Sequence, residues 1–238
     1  MSDFKANEQP ISKYVEHIGI ADADYPYEVT EIFPTVCGEG PLTGRPAIFV
    51  RLAGCNLQCP LCDTEYPTNR TMTAGEIIEE IWSIQQSYAN GGPSHIHRVV
   101  VTGGEPFRQN LVPLFNKLNE MQSILTMSIE SNGTYIKKLL EFYRNTFGCR
   151  LYVNITVSPK SKIELLHLAK AMSEDYPTHV NPIEELKLVV GAAPGTNPSS
   201  ILDKDCRYLG DKNWLTKLPE GEEQIIWKCL ERNPGMVS

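Results

Sequence analysis

Three cysteines within eight residues place the strongest constraint on this chain. Cys55, Cys59 and Cys62 form the pattern CxxxCxxC in the segment CNLQCPLC. The segment directly follows PAIFVRLAG, residues 46–54, whose apolar and β-branched residues predict a buried strand. Three thiolates at this spacing suit three irons of a [4Fe–4S] cluster, whereas a cluster that only transfers electrons usually takes four cysteines. The pattern therefore predicts a cluster with one iron open to a further ligand.

An open iron of this kind is suited to S-adenosylmethionine (SAM), which binds through its amino and carboxylate groups. Electron transfer to the adjacent sulfonium would break the C5′–S bond and give a 5′-deoxyadenosyl radical, chemistry that belongs to the cofactor and that the protein positions. Two alternatives remain open. The cysteines hold no metal, or they hold a structural zinc, although zinc sites more often use CxxC pairs. The candidate fourth zinc ligands are His95, His97, His167 and His179.

Composition and charge narrow the function further. Seven cysteines are an odd number, and a cluster of three in a reducing compartment favours metal ligation over disulfides. The net charge of −7 argues against a protein that coats nucleic acid. No apolar run approaches the roughly 20 residues of a membrane helix, and the N-terminus lacks the pattern of a secretory signal. We therefore expect a cytoplasmic protein that binds neither nucleic acid nor membrane.

Strand and helix patterns alternate along most of the chain. Thr73 and Glu76 form a capping-box signature before apolar residues at helical spacing, which predicts a helix over 73–89. Buried strands and amphipathic helices then follow in turn as far as Gly191. This order predicts an α/β fold with a parallel sheet, either a partial (β/α) barrel or an open doubly wound sheet. Residues 1–27 are expected to form an N-terminal extension and residues 28–238 one domain.

A second motif, TGGEP, follows the strand one βα unit after the cysteines. Glycines at 103 and 104 would expose backbone carbonyls without obstruction by a Cβ, and the Glu105 carboxylate could meet an ammonium group. Two further strands end at Ser131–Gly133 and at Ser158–Lys160. Because ligands collect at the carboxyl ends of parallel strands, these segments are expected to share one site with the cysteines.

Taken together, GEGPLTGRPAIFVRLAGC, CNLQCPLC, TGGEP and SPK resemble the motifs of the 7-carboxy-7-deazaguanine synthase family of radical SAM enzymes. The resemblance runs from about Glu31 to Gly191. It implies a partial (β/α) barrel of the radical SAM type and conversion of 6-carboxy-5,6,7,8-tetrahydropterin to 7-carboxy-7-deazaguanine. Ammonia would be lost, and the product would feed queuosine and related 7-deazaguanine nucleosides. The implied cofactors are a [4Fe–4S] cluster, recycled SAM and Mg²⁺.

The resemblance also implies roles for individual residues. Cys55, Cys59 and Cys62 would hold the cluster, and Thr64 would contact Mg²⁺. The residues implied to bind the pterin are Val36, Cys37, Gly38, Glu39, Arg51 and Thr102, with Arg51 pairing with the substrate carboxylate. The residues implied to bind SAM are Leu61, Gly104, Glu105, Glu130, Ser158, Pro159 and Lys160. No side chain is assigned a catalytic role, because SAM carries the radical. A flavodoxin-type or similar electron donor and a homodimer are the expected partners.

The chain departs from the family pattern in three places. Cys37 stands where the family usually has Gln, and Leu61 stands where an aromatic residue is common. The C-terminal segment LPEGEEQIIWKCLERNPGMVS, with its predicted terminal helix, is divergent and lacks the family's QTHK-like segment. Two other functions remain open, a radical SAM activating enzyme that makes a glycyl radical on a partner protein and a non-enzymatic zinc module.

Overall fold

A computed structural model describes residues 24–38, 42–57, 62, 65–91, 94–160 and 166–171, and the backbone of 185–186, 190–192 and 206–208. The strands are β1 (Tyr27–Val36), β2 (Pro46–Leu52), β3 (Arg70–Met72), β4 (Arg98–Gly103), β5 (Thr126–Ser131), β6 (Tyr152–Val157), β7 (Glu185–Leu186), β8 (Val190–Ala192) and β9 (Cys206–Tyr208). The helices are α1 (Ala74–Tyr88), α2 (Val112–Glu120), α3 (Ile136–Thr146) and a segment over 166–171. A 3₁₀ turn spans Pro106–Arg108.

Seven of these strands form one sheet in the order β3-β1-β2-β4-β5-β6-β7. The five strands from β2 to β7 in this order run parallel, as the alternation of strands and helices predicts. β1 pairs antiparallel with both β2 and β3 at one edge, so the sheet is mixed and mostly parallel. Among the described strands the order has two edges and the sheet does not close, which confirms the α/β partial barrel.

The two faces of the sheet differ in chemistry because side chains alternate along each strand. Val50, Val101, Ile129 and Ile155 lie in register on four neighbouring strands and are fully buried. They share one hydrophobic core with α1, α2 and α3. The residues between them therefore point to the opposite face, which we call the inner face.

The predicted helix over 73–89 is confirmed as α1, and its capping box forms. The Thr73 hydroxyl accepts a hydrogen bond from the Glu76 backbone N–H at 3.3 Å, while the Thr73 N–H donates to the Glu76 carboxylate at 2.7 Å. Ile77 and Ile81 are fully buried against the sheet. The amphipathic pattern and its cap were both readable because they are local.

The first residues that the structure describes are well packed. Tyr27 is fully buried, its ring meets Tyr25 edge to face at 4.8 Å, and the Tyr25 hydroxyl accepts from the Asn110 N–H. The folded unit thus includes residues just before the expected boundary at 27/28. Residues 1–23 and the expected terminal helix lie outside the described residues. Within the described part of the chain, no helix is both long and apolar enough to cross a bilayer.

Candidate metal centre

The loops that follow β2 and β4 are joined by backbone hydrogen bonds. The Gly104 N–H donates to the Leu52 carbonyl at 3.3 Å, and the Glu105 N–H donates to the Gly54 carbonyl at 3.0 Å. On the far side, the Ser158 N–H donates to the Ser131 carbonyl at 2.8 Å, which joins the ends of β5 and β6. The TGGEP motif and the first cluster cysteine therefore meet at the carboxyl edge of the sheet, as predicted.

Glycine is required where these loops touch. Gly103 has φ +133°, and a Cβ there would overlap the Leu52 carbonyl. A Cβ on Gly104 would overlap the Gly54 carbonyl and lie 2.8 Å from the Cβ of Cys55. Because these neighbours are backbone or near-backbone atoms, they cannot yield as a flexible side chain can. The two glycines thus bring the TGGEP turn into contact with residues 53–57 after β2, which we call the cluster loop.

Cys55 lies at the centre of this edge. Its sulfur accepts hydrogen bonds from the Leu57 N–H at 3.4 Å and the Asn132 side-chain amide at 3.8 Å. Burial raises the pKa of the Cys55 thiol, the Leu57 N–H lowers it, and the neighbouring Cys62 thiol raises it further. The amide donors suit a thiolate ligand of an iron–sulfur cluster, whose sulfurs commonly accept such bonds.

The second cysteine of the motif, Cys59, lies outside the described residues, as do Leu61 and Thr64. For this reason, the described part of the chain holds no group of three or more metal-ligating side chains. Two of the candidate zinc ligands, His95 and His97, precede β4, at the amino edge of the sheet. A strand of six residues spans about 20 Å, so these histidines are far from Cys55. The residues around Cys55 therefore fit an iron–sulfur cluster better than a zinc site completed by His95 or His97.

Glu105 is fully buried, and its carboxylate holds two loops together. Oε1 accepts from the Phe107 N–H at 3.0 Å and the Ser131 hydroxyl at 2.9 Å. Oε2 accepts from the Asn132 N–H at 2.7 Å and again from the Ser131 hydroxyl at 3.2 Å. These bonds connect the end of β4 to the end of β5. A contact of Glu105 with SAM stays a prediction, and the structure adds a positioning role that the sequence did not suggest.

A polar row crosses the inner face near the carboxyl edge. Strand register and one hydrogen bond place five residues side by side, namely Glu31, Arg51, Thr102, Glu130 and Thr156. Arg51 Nε donates to Glu31 at 2.7 Å, and the Thr102 hydroxyl donates to Glu130 at 2.7 Å. The predicted substrate residues Arg51 and Thr102 therefore lie on adjacent strands and face the same space. Glu130, predicted to bind SAM, lies in the same row.

Cys37 is buried on the inner face, where it packs with Ala47 and Val100. Its N–H donates to the Arg45 carbonyl at 2.9 Å and its own carbonyl accepts from the Gly44 N–H at 2.8 Å. Burial raises the pKa of the Cys37 thiol, which the charge and hydrogen bond of Arg98 partly oppose. The Cys37 backbone thus closes the turn between β1 and β2, and the predicted contacts of Val36, Cys37 and Gly38 with a pterin stay predictions. Glu39 lies outside the described residues.

The SPK segment follows β6 at the same edge. Lys160 Nζ donates to the Ser158 hydroxyl at 2.8 Å, and Pro159 between them is buried. The segment therefore lies beside the end of β5. Their predicted contact with SAM stays a prediction.

Sequence reasoning placed Asn132 at the site only as part of the segment Ser131–Gly133, and it missed Arg108. Asn132 reaches the Cys55 sulfur, and the Arg108 guanidinium lies where a Cβ on Gly54 would be. The charge of Arg108 lowers the pKa of the Cys55 thiol, whereas that of Glu105 raises it. The position of Asn132 at a strand end was a visible signal. Nothing in the sequence indicated that its side chain points to Cys55, which is 77 residues away in the chain.

Three comparisons with known proteins show what this chain is similar to. The model of the radical SAM superfamily matches residues 50–179, which include the cysteines, TGGEP and SPK. A 7-carboxy-7-deazaguanine synthase of Rickettsia prowazekii is 39% identical over 112 residues, and the match spans about half of each chain, 47% of this one and 46% of the relative. The crystal structure of QueE from Escherichia coli covers 68% of this chain and 70% of its own, with 28% identity and a TM-score of 0.46.

One relative matches over nearly its whole length. The 7-carboxy-7-deazaguanine synthase of Buchnera aphidicola is 31% identical over 224 residues, covering 87% of this chain and 93% of its own. The chain therefore belongs to the radical SAM superfamily and, within it, to the family of 7-carboxy-7-deazaguanine synthases.

Proposed function

We propose that this chain converts 6-carboxy-5,6,7,8-tetrahydropterin to 7-carboxy-7-deazaguanine, with loss of ammonia, using SAM and a [4Fe–4S] cluster. The observation that carries the proposal is the meeting of Cys55, the TGGEP turn and the polar row at one edge of the sheet. This arrangement places a cluster ligand next to a surface that carries the charged groups a carboxylated substrate needs. Family membership supports the same activity.

The cluster site is built by this chain's cysteines and their neighbours. Cys55 and Cys62, with Cys59, would hold the irons, and the partly exposed Gly103–Gly104 backbone would contact the methionyl part of SAM. When bound, the cluster supplies the single electron that cleaves SAM. Glu105 links the TGGEP turn to the end of β5. This link fixes the position of the Gly103–Gly104 backbone relative to the inner face.

The substrate side is formed by the polar row. Arg51 would pair with the substrate carboxylate, for which a guanidinium fork is well suited, while Glu31 orients that guanidinium.

Two buried atoms of the inner face, Arg98 Nε and Ser128 Oγ, have no hydrogen-bond partner within the described part of the chain. Because buried polar atoms are nearly always paired, they are suited to a polar ligand or to bound water.

Further features of the proposal follow from the family resemblance. Thr64 would contact Mg²⁺ near the substrate carboxylate, since hard cations prefer oxygen ligands. A flavodoxin-type or similar protein would donate electrons, and two chains would associate as a homodimer. Cytoplasmic localisation would keep the cysteines reduced.

The proposal is tested with protein purified and reconstituted without oxygen. We expect about four irons per chain, broad absorbance near 400 nm, and formation of a deazapurine product from the carboxylated pterin in the presence of SAM and reductant. Cys55→Ser protein should form no product. Cleavage of SAM without product would contradict the proposed substrate and leave the radical SAM class standing, and a radical on a partner protein would identify an activating enzyme.

Arg51→Lys tests the substrate carboxylate contact. The ammonium keeps the charge and loses the fork, so we expect kcat/KM for the carboxylated pterin to fall about 10- to 100-fold, in line with the loss of one hydrogen bond to a charged group. The fall should lie mainly in KM, because the contact does not involve the reacting carbon. Steady-state kinetics with varied pterin measures it.

Arg70→Lys is the matched control for Arg51→Lys. Arg70 forms a two-point contact with Glu80 on the protein surface, at 2.6 and 3.0 Å, away from the inner face. This control should leave kcat/KM unchanged. Equal kinetic constants for Arg51→Lys and the wild-type protein would rule out the proposed contact.

A further inference from the structure

The side chain of Asn132 is held in one orientation by its neighbours. Its Oδ1 accepts two hydrogen bonds from Thr134, one from the backbone N–H at 2.9 Å and one from the hydroxyl at 2.6 Å. If the amide oxygen and nitrogen exchanged places, the amide nitrogen would face the Thr134 backbone N–H, which can only donate, so the bond to that N–H fixes the orientation. The Nδ2 group must therefore face the other way, towards Cys55.

The amide nitrogen uses both of its N–H groups on the cluster loop. It lies 3.1 Å from the Asn56 side-chain oxygen and 3.8 Å from the Cys55 sulfur, and both contacts are hydrogen bonds to consecutive residues. Asn56 in turn donates to the Thr134 hydroxyl at 2.9 Å. Asn132, Thr134 and Asn56 thus form a closed network with the sulfur at its edge.

The backbone of Asn132 is fixed as firmly as its side chain. Its N–H donates to the buried Glu105 carboxylate at 2.7 Å, and the residue itself is only 5% exposed. The next N–H, that of Gly133, donates to the Ser131 hydroxyl at 3.0 Å. The N–H donor is therefore preorganised before any cofactor binds, so no reorganisation is needed when the charge on the sulfur changes.

We propose that Asn132 is a positioning residue that donates a hydrogen bond to the Cys55 thiolate and thereby raises the reduction potential of the [4Fe–4S] cluster. The reduced cluster carries one more negative charge than the oxidised one, so a donor to its ligand sulfur stabilises the reduced state more. The inference rests on the proposed function, because it requires that Cys55 ligates a cluster.

Two charged groups near Cys55 act on the same sulfur. Glu105 opposes added negative charge and Arg108 favours it, as the directions of their effects on the pKa of Cys55 show. Both groups remain in place when only Asn132 is changed. The effect of the amide donor on the potential can therefore be measured while the charges of Glu105 and Arg108 stay the same.

The test is a redox titration of the reconstituted protein, followed by electron paramagnetic resonance in the absence of SAM. Asn132→Ala should lower the midpoint potential, so that the ratio of reduced to oxidised cluster at a fixed potential falls about tenfold, equal to about 59 mV for a one-electron couple. Asn132→Asp has nearly the same shape and replaces the donor with a carboxylate, so it should lower the potential further. Iron content is measured for each protein.

Asn56→Ala is the matched control, because it removes an amide of the same network that makes no bond to the sulfur. Asn132 keeps its bonds to Thr134 and Glu105 in this variant, so the potential should stay within about twofold of the wild-type ratio. If the Asn132→Ala protein loses its iron, the midpoint potential of the nearly isosteric Asn132→Asp protein tests the inference. An equal shift in Asn56→Ala, or no shift in the Asn132 variants, would overturn the inference.

The result is distinguishable from failure of the proposed function. Wild-type protein that takes up no iron would overturn the proposed function, and the inference with it. A wild-type protein that forms its cluster and its product, yet whose potential does not respond to Asn132, would overturn the inference alone.

Discussion

Gly104→Ala is expected to lower kcat/KM about 100-fold. The added Cβ would overlap the Gly54 carbonyl and approach the Cys55 Cβ to 2.8 Å, so the TGGEP turn and the cluster loop must separate. A displacement of about 1 Å in a positioned site costs on the order of 100-fold in rate. The same overpacking should lower the free energy of unfolding by about 1–3 kcal/mol. Steady-state kinetics of reconstituted protein and urea unfolding measure the two effects.

Gly75→Ala is the control for this substitution. Gly75 lies in the first turn of α1, and a Cβ there would meet only the Thr73 hydroxyl, at 3.8 Å. Because alanine favours a helix over glycine by about 0.5–1 kcal/mol, this variant should be as stable as wild type or more so. It should also keep full activity. A Gly104→Ala enzyme with wild-type kcat/KM would show that the two loops do not touch as described.

Glu105→Gln is expected to lower the free energy of unfolding by about 3 kcal/mol. The carboxylate accepts from the Ser131 hydroxyl and from the N–H groups of Phe107 and Asn132. An amide nitrogen in place of one oxygen would face a buried N–H group, and a buried donor without an acceptor costs about 1–3 kcal/mol, more when a charged group is involved. Urea unfolding of the apoprotein measures the change without any cofactor.

Glu141→Gln is the matched control, since Glu141 is exposed on α3. Exposed substitutions of this kind usually stay within about 0.5 kcal/mol of wild type. Glu105→Gln protein should also bind iron less well, because Glu105 holds the Asn132 backbone beside Cys55. Equal stability of the two variants would contradict the description of Glu105 as a buried link between the strand ends.

The local elements of the fold could be predicted from the sequence, and the long-range ones only in part. The helix over 73–89 appears as Ala74–Tyr88, because its cap and apolar spacing are properties of adjacent residues. β3 was not predicted, since Arg70–Met72 is too short for an alternating pattern and pairs with residues more than 40 positions earlier. The antiparallel pairing of β1 with β2 was likewise not predicted, although the glycines of the connecting turn were a signal for a hairpin.

The candidate site shows the same division. The meeting of Cys55 with TGGEP followed from the rule that parallel strands end at one edge. The partners of Glu105 did not, because Ser131 and Asn132 lie 26 and 27 residues further along the chain. An acidic residue after a Gly-Gly turn looks the same in a sequence whether it contacts a ligand or links two loops. Only the packed structure distinguishes these roles.

The alternation that separates the polar row from the helix-facing core has a consequence for how such an enzyme changes over evolutionary time. Arg51, Thr102 and Glu130 each lie next in sequence to a fully buried core residue, Val50, Val101 and Ile129, yet point to the opposite side. Substitutions in the row leave the packing of the core untouched. Substrate preference can therefore change by single substitutions in the polar row while the core that stabilises the fold stays the same.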